Sequence, residues 1–509
     1  MLFNSLQFIA VFLPVTWCLY FACARFVGSS AALAALSLAS MFFYAWWNPV
    51  YLLLILAEVV FCFGVGRLLL SATLSPTLRR LIVTLAVGLI LMVLGYFKYT
   101  NFLLSTFAAM NGSAFSPLNI ILPLGISFHS FQQIAYLVDA YRGRAGRYDF
   151  IRYCLFVTFF PQLIAGPIVH HHELLPQLGQ AIRMSPKAIN VAVGLGIFAV
   201  GLFKKTIIAD GLGQVATPIF DAVAAGQQIT MLEAWCGELA YTLQLYFDFS
   251  AYSDMAIGLA RLFNLRLPIN FYSPYKATNI ADFWRRWHIT LSRFLRDYLY
   301  IPLGGNRHGI ARRCANLMVT MLLGGLWHGA GWTFVIWGGA HGIMLLVHSL
   351  WSTYVKLPFK RGRLYGLACW FVTFICVTFA WVLFRSVDIN AAWQMIATMT
   401  SLNDAPLSLQ MENFKNLPFK GWRLIGVALL LAVVAPNTAQ LFRRYHPALR
   451  SDQFVRPSGA SSKGKILKFL VSGLEWRPIL WKNLTIGLVF GMAIVAIFGW
   501  QSEFLYFQF

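Results

Sequence analysis

The chain has 509 residues, of which 59% are hydrophobic and only 11% are charged. A soluble protein of this size carries about a quarter charged residues, so the composition excludes a soluble globular protein and predicts a polytopic membrane protein. The net charge of +22 does not call for nucleic acid as a partner, because the basic residues gather in short loops, as on the cytoplasmic side of a bilayer. The eight cysteines contain no CxxC pair, so we expect no disulfide framework and no zinc site.

Apolar segments follow one another along nearly the whole chain. We predict one all-α membrane domain over residues 1–509, with about 11–13 transmembrane or re-entrant helices plus interfacial amphipathic helices. The candidate spans are 6–24, 30–47, 50–70, 82–97, 118–138, 153–169, 190–208, 231–260, 314–330, 332–352, 366–385, 423–442 and 483–500. Segment 118–138 and the region around residue 328 are candidates for re-entrant structure, because proline or glycine interrupts them.

The distribution of basic residues predicts the orientation in the membrane. Basic residues follow the first and third spans, whereas the loops 46–49 and 111–117 carry no charge. Residues 443–482 hold nine Lys or Arg and two acidic residues. The positive-inside rule therefore predicts that 443–482 is a basic cytoplasmic loop and that both termini are extracytoplasmic.

Residues 283–342 form the core motif region. On a helical wheel, residues 283–298 predict one amphipathic helix with His288 at the edge of its apolar arc. Four arginines share one arc, and the opposite arc includes two tryptophans. The arginines are Arg285, Arg286, Arg293 and Arg296, and the tryptophans are Trp284 and Trp287. This pattern is typical of a helix at a membrane interface, so His288 is either a functional side chain or part of an ordinary anchor.

His328 lies in a different setting, inside a long stretch without charge. No Asp, Glu, Lys or Arg occurs from Cys314 to Val355, a run long enough for two membrane crossings. Glycines lie on both sides of His328, which predicts tight packing or a break in the helix; they are Gly324, Gly325, Gly329 and Gly331. An ionisable group inside the membrane is a functional candidate. The alternative is a neutral histidine hydrogen-bonded between helices.

Three further groups of polar residues lie in apolar surroundings. His129 is more typical of a packed or hydrogen-bonded histidine than of a catalyst. Neighbouring side chains on a helix diverge by about 100°, so the three histidines at 170–172 cannot all face one ion. An interfacial loop is predicted there instead of a metal site. By the same geometry Asp248 and Asp254 point about 120° apart, and we expect them to pair with arginines or to orient polar partners.

Three motifs carry a family resemblance: LYFDFSAYSDMAIG, FWRRWHITLSRFLRDYLYIPLGGNR and GLWHGAGWTFVIWGGAHG. They resemble the bacterial branch of the membrane-bound O-acyltransferase family, closest to proteins that acetylate exopolysaccharides such as alginate, and the similarity covers most of the chain. The resemblance implies the fold of that family, with His328 as the catalytic histidine and His288 as a residue that assists it or positions the acyl group. It also implies a periplasmic partner enzyme, often of the Ser-His-Asp type, that completes transfer to the polymer.

We therefore expect an O-acyltransferase of the bacterial inner membrane. It moves acetyl groups from cytoplasmic acetyl-CoA, its donor substrate, toward an extracytoplasmic polysaccharide such as alginate or cellulose. No tightly bound cofactor and no metal are expected, and the other partners are the periplasmic protein, the polysaccharide and membrane lipid. The residues expected to contact substrate or donor are Arg285, Arg286, Trp284, Trp287, Trp327 and Asp248.

Three other functions remain open at the level of sequence. A D-alanyl transferase of teichoic acid synthesis takes its acyl group from an acidic carrier protein, which a basic cytoplasmic mouth would also attract. A transporter would also be polytopic with polar groups inside the membrane, although no inverted repeat of broken helices is visible. A structural subunit of a polysaccharide synthase is the third alternative, and loss of acetylation with a normal amount of polymer would argue against it.

Overall fold

The computed structural model describes residues 1–71, 74–180, 184–355, 362–401, 417–451, 453, 473–499 and 504–505. Within these ranges every regular element is helical, and the only β-type pairing is an isolated bridge between Pro268 and Leu449. The all-α prediction is confirmed. Part of the predicted basic loop 443–482, namely 452 and 454–472, lies outside the described residues.

Eleven α-helices form the part of the described chain that ends at Leu262. In chain order they are α1 (Leu13–Phe26), α2 (Ser29–Ala45), α3 (Pro49–Leu69), α4 (Pro76–Met110), α5 (Ile126–Tyr141), α6 (Phe150–Thr158), α7 (Phe160–Leu163), α8 (His171–Leu174), α9 (Ala188–Phe203), α10 (Asp210–Ala224) and α11 (Met231–Leu262). A π-helical segment, Gln7–Phe12, leads into α1, and a second, Lys204–Ala209, joins α9 to α10.

The rest of the described chain continues with nine more α-helices. They are α12 (Ile280–Arg286), α13 (Ile289–Leu295), α14 (Gly309–His328), α15 (Trp332–Tyr354), α16 (Arg363–Arg385), α17 (Ile389–Thr400), α18 (Leu417–Val433), α19 (Thr438–Leu441) and α20 (Leu480–Gly499). A third π-helical segment, Arg296–Tyr300, follows α13 directly. This segment is called the π-turn below.

Several helices are long and apolar enough to cross a membrane. By length and composition, seven helical segments of the described chain qualify: Gln7–Phe26, Pro49–Leu69, Pro76–Met110, Ala188–Ala224, Trp332–Tyr354, Arg363–Arg385 and Leu480–Gly499. Helix α2 and the segment Gly421–Val433 are apolar but shorter. The chain is therefore a multi-pass membrane protein.

Two predicted spans have a different local structure. Residues 118–125 are not helical, and α5 begins only after Gly125, whose φ is +70°. The single span predicted over 153–169 is wrong, because α6 ends at Thr158 and α7 covers only Phe160–Leu163. Pro161 accounts for this break at Phe159, since proline has no backbone N–H to donate to the carbonyl of Val157 and so cannot continue α6.

The centre of the molecule is α11, which is buried over most of its length and contacts α9, α10, α16, α17 and α18. Its approach to α9 depends on two glycines. A Cβ atom on Gly194 would lie 2.8 Å from the backbone oxygen of Gly258, and a Cβ on Gly258 would lie 2.7 Å from that of Gly194. Small residues at such crossings allow backbones to meet, and the resulting core holds the elements that carry the candidate site.

Candidate active site

His288 lies at a sharp break between α12 and α13. Its backbone adopts φ 41° and ψ 54°, the left-handed region that non-glycine residues rarely enter. The prediction of one continuous helix over 283–298 is therefore wrong. The cause is Asn270, distant in sequence: its backbone oxygen accepts from the N–H of Ile289 at 2.9 Å, and its side-chain oxygen accepts from the Thr290 hydroxyl at 2.9 Å.

The same asparagine fixes the protonation pattern of the His288 ring. His288 Nδ1 lies 3.1 Å from Asn270 Oδ1, and the backbone N–H of Thr290 also points at that atom, at 3.3 Å. Because an N–H can only donate, the atom it meets is the amide oxygen, and His288 Nδ1 must carry the proton. Nε2 therefore keeps its lone pair, and it has no hydrogen-bond partner among the described residues.

His328 is the last residue of α14, and the helix stops there. Residues 329–331 are not helical, and α15 starts at Trp332, which confirms the predicted break. The tight packing is also present. A Cβ on Gly325 would lie 2.2 Å from the backbone oxygen of Phe334, and a Cβ on Gly338 would lie 2.3 Å from that of Met321. The backbones of α14 and α15 therefore touch, which fixes the position of His328.

Two side chains of α4 hold the end of α14. Lys98 Nζ donates to the backbone oxygens of Trp327 at 2.5 Å and His328 at 3.0 Å, and the Tyr99 hydroxyl donates to that of Leu326 at 2.9 Å. These carbonyls have no acceptor role left inside the helix, and a cation suits the negative end of its dipole. Sequence reasoning missed Lys98, although it is the only charged residue between Arg80 and Met110.

The two histidines face one another in a small chamber with aromatic walls. Their ring centroids are 6.4 Å apart, and His328 also contacts Trp327, Trp337 and Phe384 at 4.9, 5.0 and 5.2 Å. Neither ring nitrogen of His328 has a hydrogen-bond partner within the described part of the chain. A cavity of about 20 Å³ lies beside His328, lined by Leu245, Asp248, Phe249, Trp287, His328, Trp381, Phe384 and Leu505. This chamber offers room for little more than one water molecule.

A third histidine, His341, lies close to the chamber and was missed. Its Nδ1 accepts a hydrogen bond from the indole N–H of Trp284 at 3.3 Å. Its ring centroid is 4.7 Å from that of Trp337, which in turn contacts His328. His341 follows His328 by 13 residues in the same glycine-rich region. That spacing alone did not predict that the two histidines lie close together, because the break at 329–331 interrupts any helical periodicity between them.

The tryptophans expected at the substrate occupy distinct positions. Trp284 lines an open pocket described below. Trp287 is buried and stacks on Phe283, with ring centroids 5.6 Å apart. Trp327 stacks on Phe131 at 5.5 Å, next to His328. Trp287 thus lines the chamber, Trp327 contacts both His288 and His328, and Trp284 links the open pocket to His341.

Asp248 lies at the chamber but is tied to other protein groups. Its Oδ1 pairs with Lys205 Nζ at 2.8 Å, and Lys205 also pairs with Asp210 at 2.8 Å. Its Oδ2 accepts from the backbone N–H of Leu505 at 3.0 Å. Asp254 pairs with Lys204 at 2.8 Å, so the predicted arginine partners of these aspartates are wrong and are lysines instead. The carboxylate of Asp248 therefore anchors Leu505 at the chamber.

The predicted four-arginine face does not exist as one surface, because two of its members form ion pairs with other parts of the protein. Arg286 pairs with Asp282 at 2.8 Å, and Arg293 forms two bonds of 2.7 Å to Glu173. Arg285 and Arg296 remain together. They line an open pocket of about 440 Å³ with Arg313 and His348, and we call it the inner pocket.

A second large cavity, of about 470 Å³, lies beside the uncharged loop 46–49, and we call it the outer pocket. Its lining includes Trp46, Trp47, Gly125, Ser127 and Lys98. Lys98 therefore connects this cavity to the backbone of His328. The inner and outer pockets share no lining residue; Trp284 of the inner pocket contacts His341, and Lys98 of the outer pocket bonds the backbone of His328.

Two other histidines, His129 and His171, are paired with carboxylates. His129 Nδ1 lies 2.8 Å from Glu58 Oε2 in a buried pair, which agrees with the packed histidine that we predicted. The interfacial loop predicted at 170–172 is wrong for His170 and His171, which are 3% and 1% exposed. They are buried because the segment folds inward against Asp139 at the end of α5.

Comparison with known proteins gives consistent results. A sequence model of the MBOAT (membrane-bound O-acyltransferase) family matches residues 76–386, a range that contains both chamber histidines. The chain is 44% identical over 434 residues to the peptidoglycan O-acetyltransferase of Helicobacter pylori, covering 80% of this chain and 81% of the relative.

Two further relatives have names that differ from that of the first. The chain is 38% identical over 518 residues to a probable alginate O-acetylase of Azotobacter vinelandii, with 100% of both chains covered. It is 26% identical over 258 residues to a teichoic acid D-alanyltransferase of Streptococcus thermophilus, covering 48% of this chain and 61% of the relative. The likeness to the O-acetylating proteins is both higher and longer.

Proposed function

Because this chain belongs to the membrane-bound O-acyltransferase family, we propose that it moves acetyl groups from cytoplasmic acetyl-CoA to O-acetylation of an extracytoplasmic polysaccharide. It is an O-acyltransferase of the acetyltransferase kind, and its relatives support membrane O-acetylation of a polysaccharide. The donor, the direction of transfer and the periplasmic partner belong to the proposal. The observation that carries it is the buried pair His288 and His328, with ring centroids 6.4 Å apart; among the described residues, His288 Nε2 and both ring nitrogens of His328 have no hydrogen-bond partner.

His328 acts as the general base and then as the general acid. It takes the proton of the acceptor hydroxyl while the hydroxyl oxygen attacks the carbonyl carbon of the thioester. The carbon–sulfur bond then breaks, and the thiolate leaves with the proton that His328 had taken. A neutral imidazole with no protein partner suits both steps. The aromatic walls exclude the water that would otherwise hydrolyse the thioester.

His288 has a supporting role in this scheme. Asn270 holds its Nδ1–H, so Nε2 presents a lone pair in a fixed direction. That lone pair accepts a hydrogen bond from the acceptor hydroxyl or from an amide N–H of the pantetheine arm, and so positions one reactant against His328. The left-handed backbone of His288 is the kind of local strain that is retained where a side chain must be aimed.

The inner pocket suits the nucleotide end of the donor. Arg285 and Arg313 give it positive charge, whereas Arg296 is paired with Asp297 at 2.7 Å. Guanidinium groups match phosphate geometry. Thr320 of α14 lines the same pocket, and it lies eight residues before His328, about 12 Å along a helix. A thin pantetheine arm can follow α14 over that distance, toward the chamber.

The outer pocket suits the acceptor side. It lies by an uncharged loop, as expected on the extracytoplasmic face, and its Trp46 and Trp47 offer the amphipathic rings that bind sugars. We place the polysaccharide and the periplasmic partner on this side, both chain termini outside the cytoplasm, and the protein in the inner membrane. Reporter fusions at the C-terminus test the topology, and a fusion active only in the cytoplasm contradicts it.

Donor consumption by the purified protein tests the function. The full chain in nanodiscs is incubated with acetyl-CoA, polysaccharide and the periplasmic partner, and free CoA is measured. We expect CoA release that depends on the acceptor, and no release by His328→Ala. The exposed His308 supplies the matched control, and His308→Ala should release CoA at the rate of the unaltered protein. Consumption of a D-alanyl carrier protein with inert acetyl-CoA would overturn the choice of donor.

A further inference from the structure

A cluster of metal-binding residue types lies outside the acyl-transfer chamber. Asp139 at the end of α5, with His170 and His172 around the start of α8, bring one ligand atom each within 4.8 Å of one another. Asp139 and His170 are 6% and 3% exposed, whereas His172 is exposed. We propose that these three residues form a binding site for a divalent transition metal ion, with Zn²⁺ as the best match.

The three histidines at 170–172 do not lie on one continuous helix. Helix α8 begins at His171, and His170 precedes it in extended geometry, with φ −81° and ψ 150°. The ring of His170 therefore lies next to that of His172, with centroids 5.3 Å apart and planes at 26°. His171 takes a different direction, since its ring is at 87° to that of His172. The extended residue brings two histidines of the three to the same side.

The third ligand is oriented by hydrogen bonds from neighbours. Asp139 Oδ2 accepts from the Tyr298 hydroxyl at 2.7 Å and from His171 Nε2 at 3.1 Å. Tyr298 also lies 3.4 Å from His170 Nδ1. Such outer-shell hydrogen bonds typically fix the direction of metal ligands. His170 Nε2 is buried and lacks a hydrogen-bond partner in the described ranges, which leaves it available to an ion.

The residue types of the cluster suit a divalent transition metal ion. Glu173 is occupied by two bonds of 2.7 Å to Arg293 and does not compete. Two imidazoles and one carboxylate match zinc, whereas Mg²⁺ and Ca²⁺ prefer all-oxygen ligands. Exposed His172 provides a route for the ion and an open position for water.

The position of the site connects a bound ion to one wall of the inner pocket. Tyr298 belongs to the π-turn, and that segment also contributes Arg296 and Tyr300 to the inner pocket. A bound ion joins α5 to α8, and the hydrogen bond from Tyr298 to Asp139 extends this link to the π-turn. Metal occupancy should therefore stiffen one wall of the inner pocket. Binding of the ion itself does not depend on the proposed acyl-transfer function.

Metal retention by the full-length protein tests the site. Protein without a histidine tag is stripped with a chelator, loaded with Zn²⁺, desalted and analysed for zinc by mass spectrometry. We expect about one ion per chain and a thermal unfolding temperature that rises on loading. His172→Ala is the informative variant because its side chain is exposed, so folding should be unaffected. It should lose most of the retained zinc and the rise in unfolding temperature.

His308→Ala is the matched control, since it also removes an exposed histidine but lies outside the cluster. It should retain zinc as the unaltered protein does. If the unaltered protein and His172→Ala retain equal amounts of zinc, whether a full equivalent or none, the proposal is overturned. Asp139→Asn offers a second check: it keeps the shape of the side chain and should lower retention by removing the only acidic ligand.

Discussion

Two groups of histidines in this molecule show what separates a reactive imidazole from a structural one. In the chamber, His288 and His328 lie among aromatic rings, and ring nitrogens remain free. At the α5–α8 junction, by contrast, His171 pairs with Asp139, and Glu173 beside it is held by Arg293. Both regions are buried. The difference lies in the partners, because a carboxylate satisfies an imidazole while an aromatic wall leaves its lone pair available for a substrate.

The comparison predicts different consequences of substitution in the two regions. Variants in the chamber should lose chemistry while the protein stays folded. Variants that remove one partner of the buried ion pair at the junction, Glu173 with Arg293, should lose stability because they leave an uncompensated buried charge, while each folded molecule keeps its catalytic rate.

The largest expected effect is that of His328→Ala. Polymer acetylation in cells should fall by at least about 10³-fold, because general base and general acid are removed together. Acetyl content of the polymer and the amount of inserted protein are measured in the same cells. His308→Ala is the control, and near-normal acetylation by a correctly inserted His328→Ala protein would contradict the role of His328.

Arg293→Met should have the next largest effect, on stability rather than chemistry. It leaves the buried Glu173 carboxylate without its bidentate partner, which costs about 3–5 kcal/mol for a buried pair. Thermal unfolding and turnover per folded molecule are measured together. The double variant Glu173→Gln with Arg293→Met should recover part of the stability, because the buried charge is gone. An unchanged unfolding temperature in Arg293→Met would remove the distinction between the regions.

His288→Ala should lower kcat by about 10²-fold, the usual loss for a positioned acid–base group. The unfolding temperature should change less than in Arg293→Met, since no buried charge is left behind. Initial rates of CoA release in nanodiscs provide the test. A fully active variant would mean that His288 only supports the bend between α12 and α13.

The smallest expected effect is on the KM for acetyl-CoA, and it should differ between two neighbouring arginines. Arg285 lines the inner pocket, whereas Arg286 is paired with Asp282 at 2.8 Å. Arg285→Gln should raise the KM for acetyl-CoA by about tenfold with little change in kcat, because the contact is present in ground and transition states alike. Arg286→Gln is the matched control and should leave the KM nearly unchanged. Equal effects of the two variants would argue against the inner pocket as the donor site.

Part of this arrangement was readable from the sequence. The charge-free run around His328 and its flanking glycines predicted a buried histidine at a tightly packed break, since both features act locally along the chain. The ion pair between Arg286 and Asp282 could also have been predicted, because residues four apart meet on a helix. Lys98 could have been found as a lone charge in an apolar segment.

Other features could not be predicted because distant residues determine them. The bend at His288 depends on Asn270, and no helical wheel includes a hydrogen bond from outside the helix. Arg293 meets Glu173 from a segment 120 residues away. The burial of His170 and His171 was missed for a related reason, since His171 pairs with Asp139, 32 residues earlier in the chain. Local periodicity describes a helix well only where tertiary contacts do not end it.

The most direct test of the central claim separates donor binding from donor chemistry. His328→Gln keeps a polar side chain of similar size in the chamber, so purified protein in nanodiscs should bind acetyl-CoA with an unchanged Kd. In the presence of acceptor and periplasmic partner, the unaltered protein should release CoA, and the variant should release it at least about 10³-fold more slowly. Binding with equal affinity and release at a similar rate by the variant would contradict His328 as the group that moves the proton.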